Sequence, residues 1–142
     1  MKTLVHCLLE TAHGPLSYSD LVSGGRGVTG SEQTMLYLAK AQAKSGDRVV
    51  CYMPTDKPGF FDGVEVLDVR TAWPRLRRTD VADVVIAWLT ADFLRDLGPK
   101  TLRILSIQIN DWMLSTHGFE NFVDVYVSVS QAHKAHLWKE DG

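Results

Sequence analysis

Apolar residues in this chain fall into short continuous runs, separated by stretches with helical spacing. Lys2–Leu9, KTLVHCLL, is apolar almost throughout. Such a run predicts a strand buried on both faces. From Ser31 to Ser45, Met35, Leu36, Ala39 and Ala43 share one face, and Gln33, Tyr37, Lys40 and Lys44 lie opposite. That spacing predicts an amphipathic helix, which Gly46 is suited to end. Arg48–Tyr52 reads as a second strand. Val64–Val69 reads as a third, and its internal Glu65 and Asp68 suit a sheet edge. Val84–Ala87, Leu102–Ile109 and Val125–Val129 supply three more strands. Ala91–Leu97 is expected to form a short helix, and Gln131–Trp138 to start a last one. Glu10–Ser23 and Thr71–Asp80 read as polar and irregular. Met53–Gly63 reads as a loop, marked by Pro54, Pro58, Gly59 and Gly63.

Strands alternating with helices imply an α/β domain with right-handed crossovers. The expected fold is a Rossmann-like, doubly wound parallel sheet in three layers, occupying residues 1–142 as one domain. Its strand order should be 3-2-1-4-5-6, with the Lys2–Leu9 strand central and the Val64–Val69 strand at one edge. Such sheets bind ligands beyond the carboxyl ends of their strands. Four segments would meet on that rim: Glu10–Gly30, Trp88–Thr90, Asn110–Phe119 and Ser130.

The 142 residues are 45% hydrophobic and 23% charged, as in ordinary soluble globular proteins. A formal charge of −2 provides no global basic field for nucleic acid. Arg75, Arg77 and Arg78 form a small basic knot. It reads as solvated surface or as a weak peripheral contact with an anionic membrane. Leu4–Leu9 is too short for a secretory signal, and no run approaches the ~20 apolar residues of a membrane span. Cys7 and Cys51 lie in strand-like runs without a CxxC pair. They read as small buried hydrophobes in a reducing, cytoplasmic compartment.

The chemistry-bearing signals centre on the glycine loop. Gly25, Gly27 and Gly30 satisfy GxGxxG, but too far after the first strand for a dinucleotide fingerprint, and no acid ends the second strand. Thr29 and Glu32 form a Thr-x-x-Glu capping box, which by itself accounts for both residues. The same loop, from Gly27 through Gly30 and Ser31, also offers backbone N–H groups to a phosphate or a sugar hydroxyl. Asn110 and Asp111 follow the fifth strand, where they would either cap a turn or hold sugar hydroxyls. His117 shares their loop and would be exposed or reach the cleft; His13 is a similar case. His6 reads as a hydrogen-bonded core histidine. His133 and His136 share a helix face without a third metal ligand. No catalytic-triad order, nucleophile elbow or phosphate-binding lysine loop is present.

The stretch GVTGSEQTMLYLAKAQAKSGDRVVCY resembles the glycine loop, first helix and second strand of the GT-B glycosyltransferases of family 4. Gly30, Ser31 and Glu32 match the end of the family's Gly-Gly-small-Glu pattern. Leu38 and Ala39 match its Leu-Ala, and Gly46 and Val49 match its Gly-His-x-Val. Asp83–Ala87 resembles the fourth strand of that domain, and Asp124–Ser130 the sixth. The resemblance thus covers nearly the whole chain. It departs at Asp47, where the family usually has histidine, at Thr29, where many members have glycine, and at Asn110, where many have the histidine of a His-Asp pair.

The resemblance implies the acceptor-side half of a retaining enzyme that moves a sugar from a nucleotide-diphosphate donor to an acceptor hydroxyl. Gly27, Gly30, Ser31 and Glu32 would line the cleft beneath the donor phosphates. Asn110, Asp111 and His117 would hold a sugar or glycolipid acceptor. No metal or other cofactor is implied. The nucleotide sugar would be held mainly by a C-terminal donor-binding domain or subunit, whose Glu-x7-Glu signature is not found after Ser130, so this chain alone should transfer nothing. The alternative is a stand-alone Rossmann-like or flavodoxin-like module for binding or interaction.

Overall fold

The structure is a computed structural model that describes residues 1–11, 14–24, 30–76, 82–88, 92–98, 100–107 and 123–128. Its strands are β1 (Thr3–Cys7), β2 (Arg48–Met53), β3 (Gly59–Phe61), β4 (Val64–Asp68), β5 (Val84–Trp88), β6 (Leu102–Ile107) and β7 (Val125–Ser128). Its helices are α1 (Tyr18–Ser23), α2 (Gly30–Lys44) and α3 (Val69–Leu76), with a 3₁₀ segment at Asp92–Asp96. They build a seven-stranded sheet in the order β3-β4-β2-β1-β5-β6-β7. Every pairing is parallel except β3 with β4. The fold is therefore α/β and Rossmann-like.

The apolar run of β1 is explained by its neighbours. Val5 pairs with Val50 of β2 on one side and with Val85 of β5 on the other. With strands on both edges and helices over both faces, each position from Leu4 to Cys7 is buried. The period-2 alternation of the strands then divides the core in two. Val5, Cys7, Val50, Tyr52, Val85, Ala87 and Leu105 face Val69 of α3 and Phe93, Leu94 and Leu97 around the 3₁₀ segment. Val49, Cys51, Met53, Val64, Val66, Ile86 and Trp88 face Leu21 of α1 and Met35, Leu36 and Ala39 of α2. Each large apolar side chain removed from water contributes ~1.5–3 kcal/mol. Cys7 and Cys51 are in opposite clusters, and burial holds both thiols protonated, that of Cys51 raised to about 12.

Helix α2 and the six longer strands follow the hydrophobic pattern closely, and their order is the expected one. The expectation that Val64–Val69 lies at the edge is overturned. β3 pairs outside it, so β4 lies between β2 and β3. The cause is the Asp62–Gly63 turn, with φ of 50° and 83°, which folds the chain back as a two-residue hairpin. The two acids have other uses: Glu65 lies 3.9 Å from Arg48, and Asp68 ends the strand and receives the Arg70 N–H of α3.

Three further stretches differ from the pattern reading. Glu10–Ser23 contains α1, Thr71–Asp80 begins inside α3, and Met53–Gly63 contains β3. α1 starts at a reciprocal cap. Ser17 Oγ accepts the Asp20 N–H at 3.1 Å, and the Asp20 carboxylate accepts the Ser17 N–H at 2.9 Å. Gly24, at φ 65°, closes the helix. The short helix expected at Ala91–Leu97 is a 3₁₀ segment, and Gln131–Trp138 lies outside the described residues. Among the described residues no helix is long and apolar enough to cross a membrane.

Candidate functional site

Parallel strands place the carboxyl ends of β1, β2, β4 and β5 on one rim. The chain leaves β1 for β2 on one side, while β5 flanks the other. The strand order therefore reverses beside β1, the position where open α/β sheets leave a crevice. The start of α2 and the start of α3 come to the same rim, because each helix returns antiparallel to the strand it follows. Hydrogen bonds tie the loop after β1 to the end of β2: Leu8 N–H donates to the Tyr52 carbonyl at 2.9 Å, and Leu16 N–H to the Pro54 carbonyl at 3.0 Å. The Thr11 hydroxyl donates to the Gly14 carbonyl.

A cleft of about 260 Å³ opens on this rim. Leu9, Pro15 and Pro54 give it apolar walls, and Glu10, Thr11 and Arg70 give it polar ones. Arg70 is held by Asp68, Asp56 and the Thr55 carbonyl. Its Nε and Nη2 donate to the two oxygens of Asp68 at 2.9 and 3.0 Å. Nη2 also reaches Asp56 Oδ1 at 2.8 Å and the Thr55 carbonyl at 3.1 Å. The fork-to-fork pairing fixes the guanidinium plane. Its hydrogen bonds hold the Asp68 carboxyl below its ordinary range, and the same carboxylates raise the Arg70 value further.

Beneath the rim, a polar network joins three elements in the interior. Trp88, the last residue of β5, donates its indole N–H to His6 Nδ1 at 3.0 Å. His6 Nε2 lies 2.7 Å from Gln42 Oε1 of α2. The Trp88 indole has only a hydrogen to give, so His6 Nδ1 accepts and Nε2 carries the proton. His6 is fully buried, and desolvation lowers its pKa to about 4. It is neutral and structural, as the strand pattern implies.

Of the residues singled out from sequence, Gly30 and Ser31 open α2 at this rim. Gly30 has no left-handed φ, and a Cβ built on it meets nothing within 4 Å. Glu32 is buried, at 2% exposure, under the first turn of the helix. Gly27, Thr29, His13, Asn110, Asp111 and His117 lie outside the described residues. The structure adds Glu10, Asp56 and Arg70, and brings to the site Asp68, which the pattern marked only as an acid within its strand. Asp56 and Arg70 are 14 positions apart, too far for any helical or strand period to link them. Among the described residues no group of three or more His, Cys, Asp or Glu side chains is arranged to hold a metal ion. No family model, curated protein or solved structure matches this chain.

Proposed function

We propose that this chain is the acceptor-side domain of a retaining GT-B glycosyltransferase of the family-4 kind. With a C-terminal donor-binding domain or subunit, it would move a sugar from a nucleotide-diphosphate donor to an acceptor hydroxyl. One observation carries the reading. The parallel strands run β4-β2-β1-β5-β6-β7, and the glycine-led start of α2 opens on the rim where their carboxyl ends meet.

In this reading the acceptor oxygen bonds to the anomeric carbon as the bond from that carbon to the diphosphate oxygen breaks. Negative charge builds on the departing diphosphate. The N-terminus of α2 at Gly30 and Ser31 faces that charge with backbone N–H groups and the positive end of the helix dipole. By sequence, Gly27 belongs to the same glycine-rich stretch. Asn110, Asp111 and His117, which follow β6 in sequence, would hold the acceptor. The buried position of Glu32 favours a role in shaping this helix start over direct contact with the donor. The enzyme would work in the cytoplasm and need no cofactor besides its sugar nucleotide. Arg75, Arg77 and Arg78 would allow a weak peripheral contact with an anionic membrane.

The test begins with the native protein from its own source. Its intact mass should exceed the 15.9 kDa of this chain by about one domain, or it should copurify with a separate donor-binding subunit. That assembly should release nucleoside diphosphate from a sugar nucleotide in the presence of acceptor, and the isolated 142-residue chain should not. A native protein of 15.9 kDa that binds small molecules and transfers nothing would establish the binding-module alternative.

A further inference from the structure

We infer that the cleft between Glu10 and Arg70 is a subsite for an uncharged, hydroxyl-bearing pyranose ring, and that it excludes phosphorylated or carboxylated sugars. The inference deepens the glycosyltransferase reading and rests on it only for the role of that ring as acceptor.

The charge balance around the cleft sets the class of ligand. An arginine at the rim of a parallel sheet ordinarily suggests an anion. Here its charge is already met: Asp68 takes the guanidinium in a two-point pair, and Asp56 takes Nη2 again. Glu10 lines the same cleft. Two carboxylates therefore hold the one guanidinium, and a third lines the cleft. Lys57 lies in the adjoining groove beside Asp20 and Asp56. A phosphate drawn to the remaining nitrogen of Arg70, Nη1, would meet the net negative charge of the carboxylates that already neutralise this guanidinium and line the cleft.

A sugar hydroxyl meets the opposite situation. It would donate to the Glu10 carboxylate and accept from Arg70 Nη1, the nitrogen that Asp68, Asp56 and the Thr55 carbonyl leave over, so adjacent hydroxyls suit one acceptor and one donor. Leu9, Pro15 and Pro54 present apolar surface to the C–H face of the ring. The volume of about 260 Å³ lies just under the ~300–1,000 Å³ of sites for drug-sized ligands, and so suits one ring. Backbone hydrogen bonds tie Leu8 and Leu16 to the end of β2, and Arg70 is held by three partners.

The test uses the ¹⁵N-labelled 142-residue chain. It is titrated separately with the methyl α-pyranosides of glucose, mannose and galactose, and with glucose 6-phosphate. At least one neutral glycoside should shift the amides of Glu10, Thr11 and Gly14 saturably, with a millimolar constant. Glucose 6-phosphate should bind there about tenfold more weakly or not at all. Glu10→Gln, at an exposed position, should keep the native spectrum and weaken the neutral sugar about tenfold, the cost of losing a charged hydrogen-bond partner. Glu10→Lys should reverse the order of the two ligand classes.

Equal or tighter binding of glucose 6-phosphate at these amides would overturn the proposal. So would the absence of shifts with every neutral glycoside, or unchanged affinity in Glu10→Gln. The two readings fail separately. Neutral-sugar binding here, with no transfer by the native assembly, removes the transferase and leaves the subsite. Transfer with an acceptor KM unmoved by Glu10→Gln removes the subsite and leaves the transferase.

Discussion

The indole N–H of Trp88 donates to Nδ1 of His6 at 3.0 Å in the interior of the sheet, joining β5 to β1. That contact fixes the imidazole tautomer and leaves Nε2–H for Gln42 of α2. Protonation of Nδ1 would turn the acceptor into a second donor facing the indole N–H. Burial and this geometry both favour the neutral ring.

Acid should therefore destabilise the fold through His6. Its pKa falls from an ordinary 6.5 to about 4 in the folded chain. Between those values the unfolded chain binds the extra proton, so stability rises with pH there. The contribution is fully present above about pH 6.5 and is lost as pH falls towards 4. At ~1.4 kcal/mol per unit, about 3 kcal/mol is at stake. Urea unfolding at pH 7 and pH 4.5 should show the loss, and His6→Asn should flatten it. Imidazole ¹⁵N shifts should report a neutral Nε2–H ring at pH 7 that is still mostly neutral at pH 4.5. A His6 midpoint near 6.5 would contradict this account.

The tip of the hairpin is tied to α1 through Tyr18. The Tyr18 hydroxyl donates to Asp62 Oδ2 at 2.6 Å, and its ring stacks on Phe61 at 4.9 Å. Burial and the Asp62 carboxylate both raise the phenol pKa. Tyr18→Phe keeps the stack and removes the hydrogen bond, so it should cost ~1 kcal/mol. Combined with Asp62→Asn in a double-mutant cycle, it should reveal a coupling of similar size. Strictly additive losses would mean that the pair contributes no coupling.

Two glycines should respond in opposite ways to alanine. Gly63 has φ 83°, and a Cβ there would stand 3.2 Å from the Ala43 methyl. Gly63→Ala should cost ~1 kcal/mol or more, because both backbone and space oppose it. Gly30 has neither constraint, so Gly30→Ala should melt at or above the wild-type temperature. In the proposed enzyme, Gly30→Val should also stay folded while losing most transfer activity, since the added side chain occupies the helix start. Full transfer by a folded Gly30→Val would remove the donor role from this helix start.

The cap of α1 offers a separate acid-sensitive point. Ser17→Ala should cost the ~1 kcal/mol typical of a lost N-cap. Backbone and side-chain bonds from Ser17 hold the Asp20 carboxyl below its ordinary 3.8. Its stabilising share is therefore present above about pH 4 and lost as pH falls through the lowered value. Asp20→Asn should remove that acid dependence. Ser17→Ala should retain most of it, because the backbone N–H is the larger contributor. Amide exchange across Tyr18–Ser23 would show both effects.

Some missed elements carried local signals. Ser17-x-x-Asp20 is the spacing of a capping box, and Asp62–Gly63 after Phe60 and Phe61 is a hairpin turn. Both were legible, but the surrounding Gly, Pro and Ser obscured them. α3 was harder, since Pro74 argues against a helix by local preference.

The chain's own pattern determined the α/β class, the central place of β1, the order of the long strands and the span of α2. These follow from period, length and side-chain branching, which act over a few neighbouring residues. Tertiary structure decided that β3 covers the edge of β4. It also placed Arg70 between Asp56 and Asp68, brought Glu10 to the cleft that Arg70 lines, and brought Trp88 to His6, 82 positions away. Those contacts depend on strand register and crossover direction, which bring distant residues together without leaving a periodic trace. The acceptor-loop residues Asn110, Asp111 and His117 remain a reading of sequence alone. The cleft beside Arg70 could be found only once the sheet had assembled its rim.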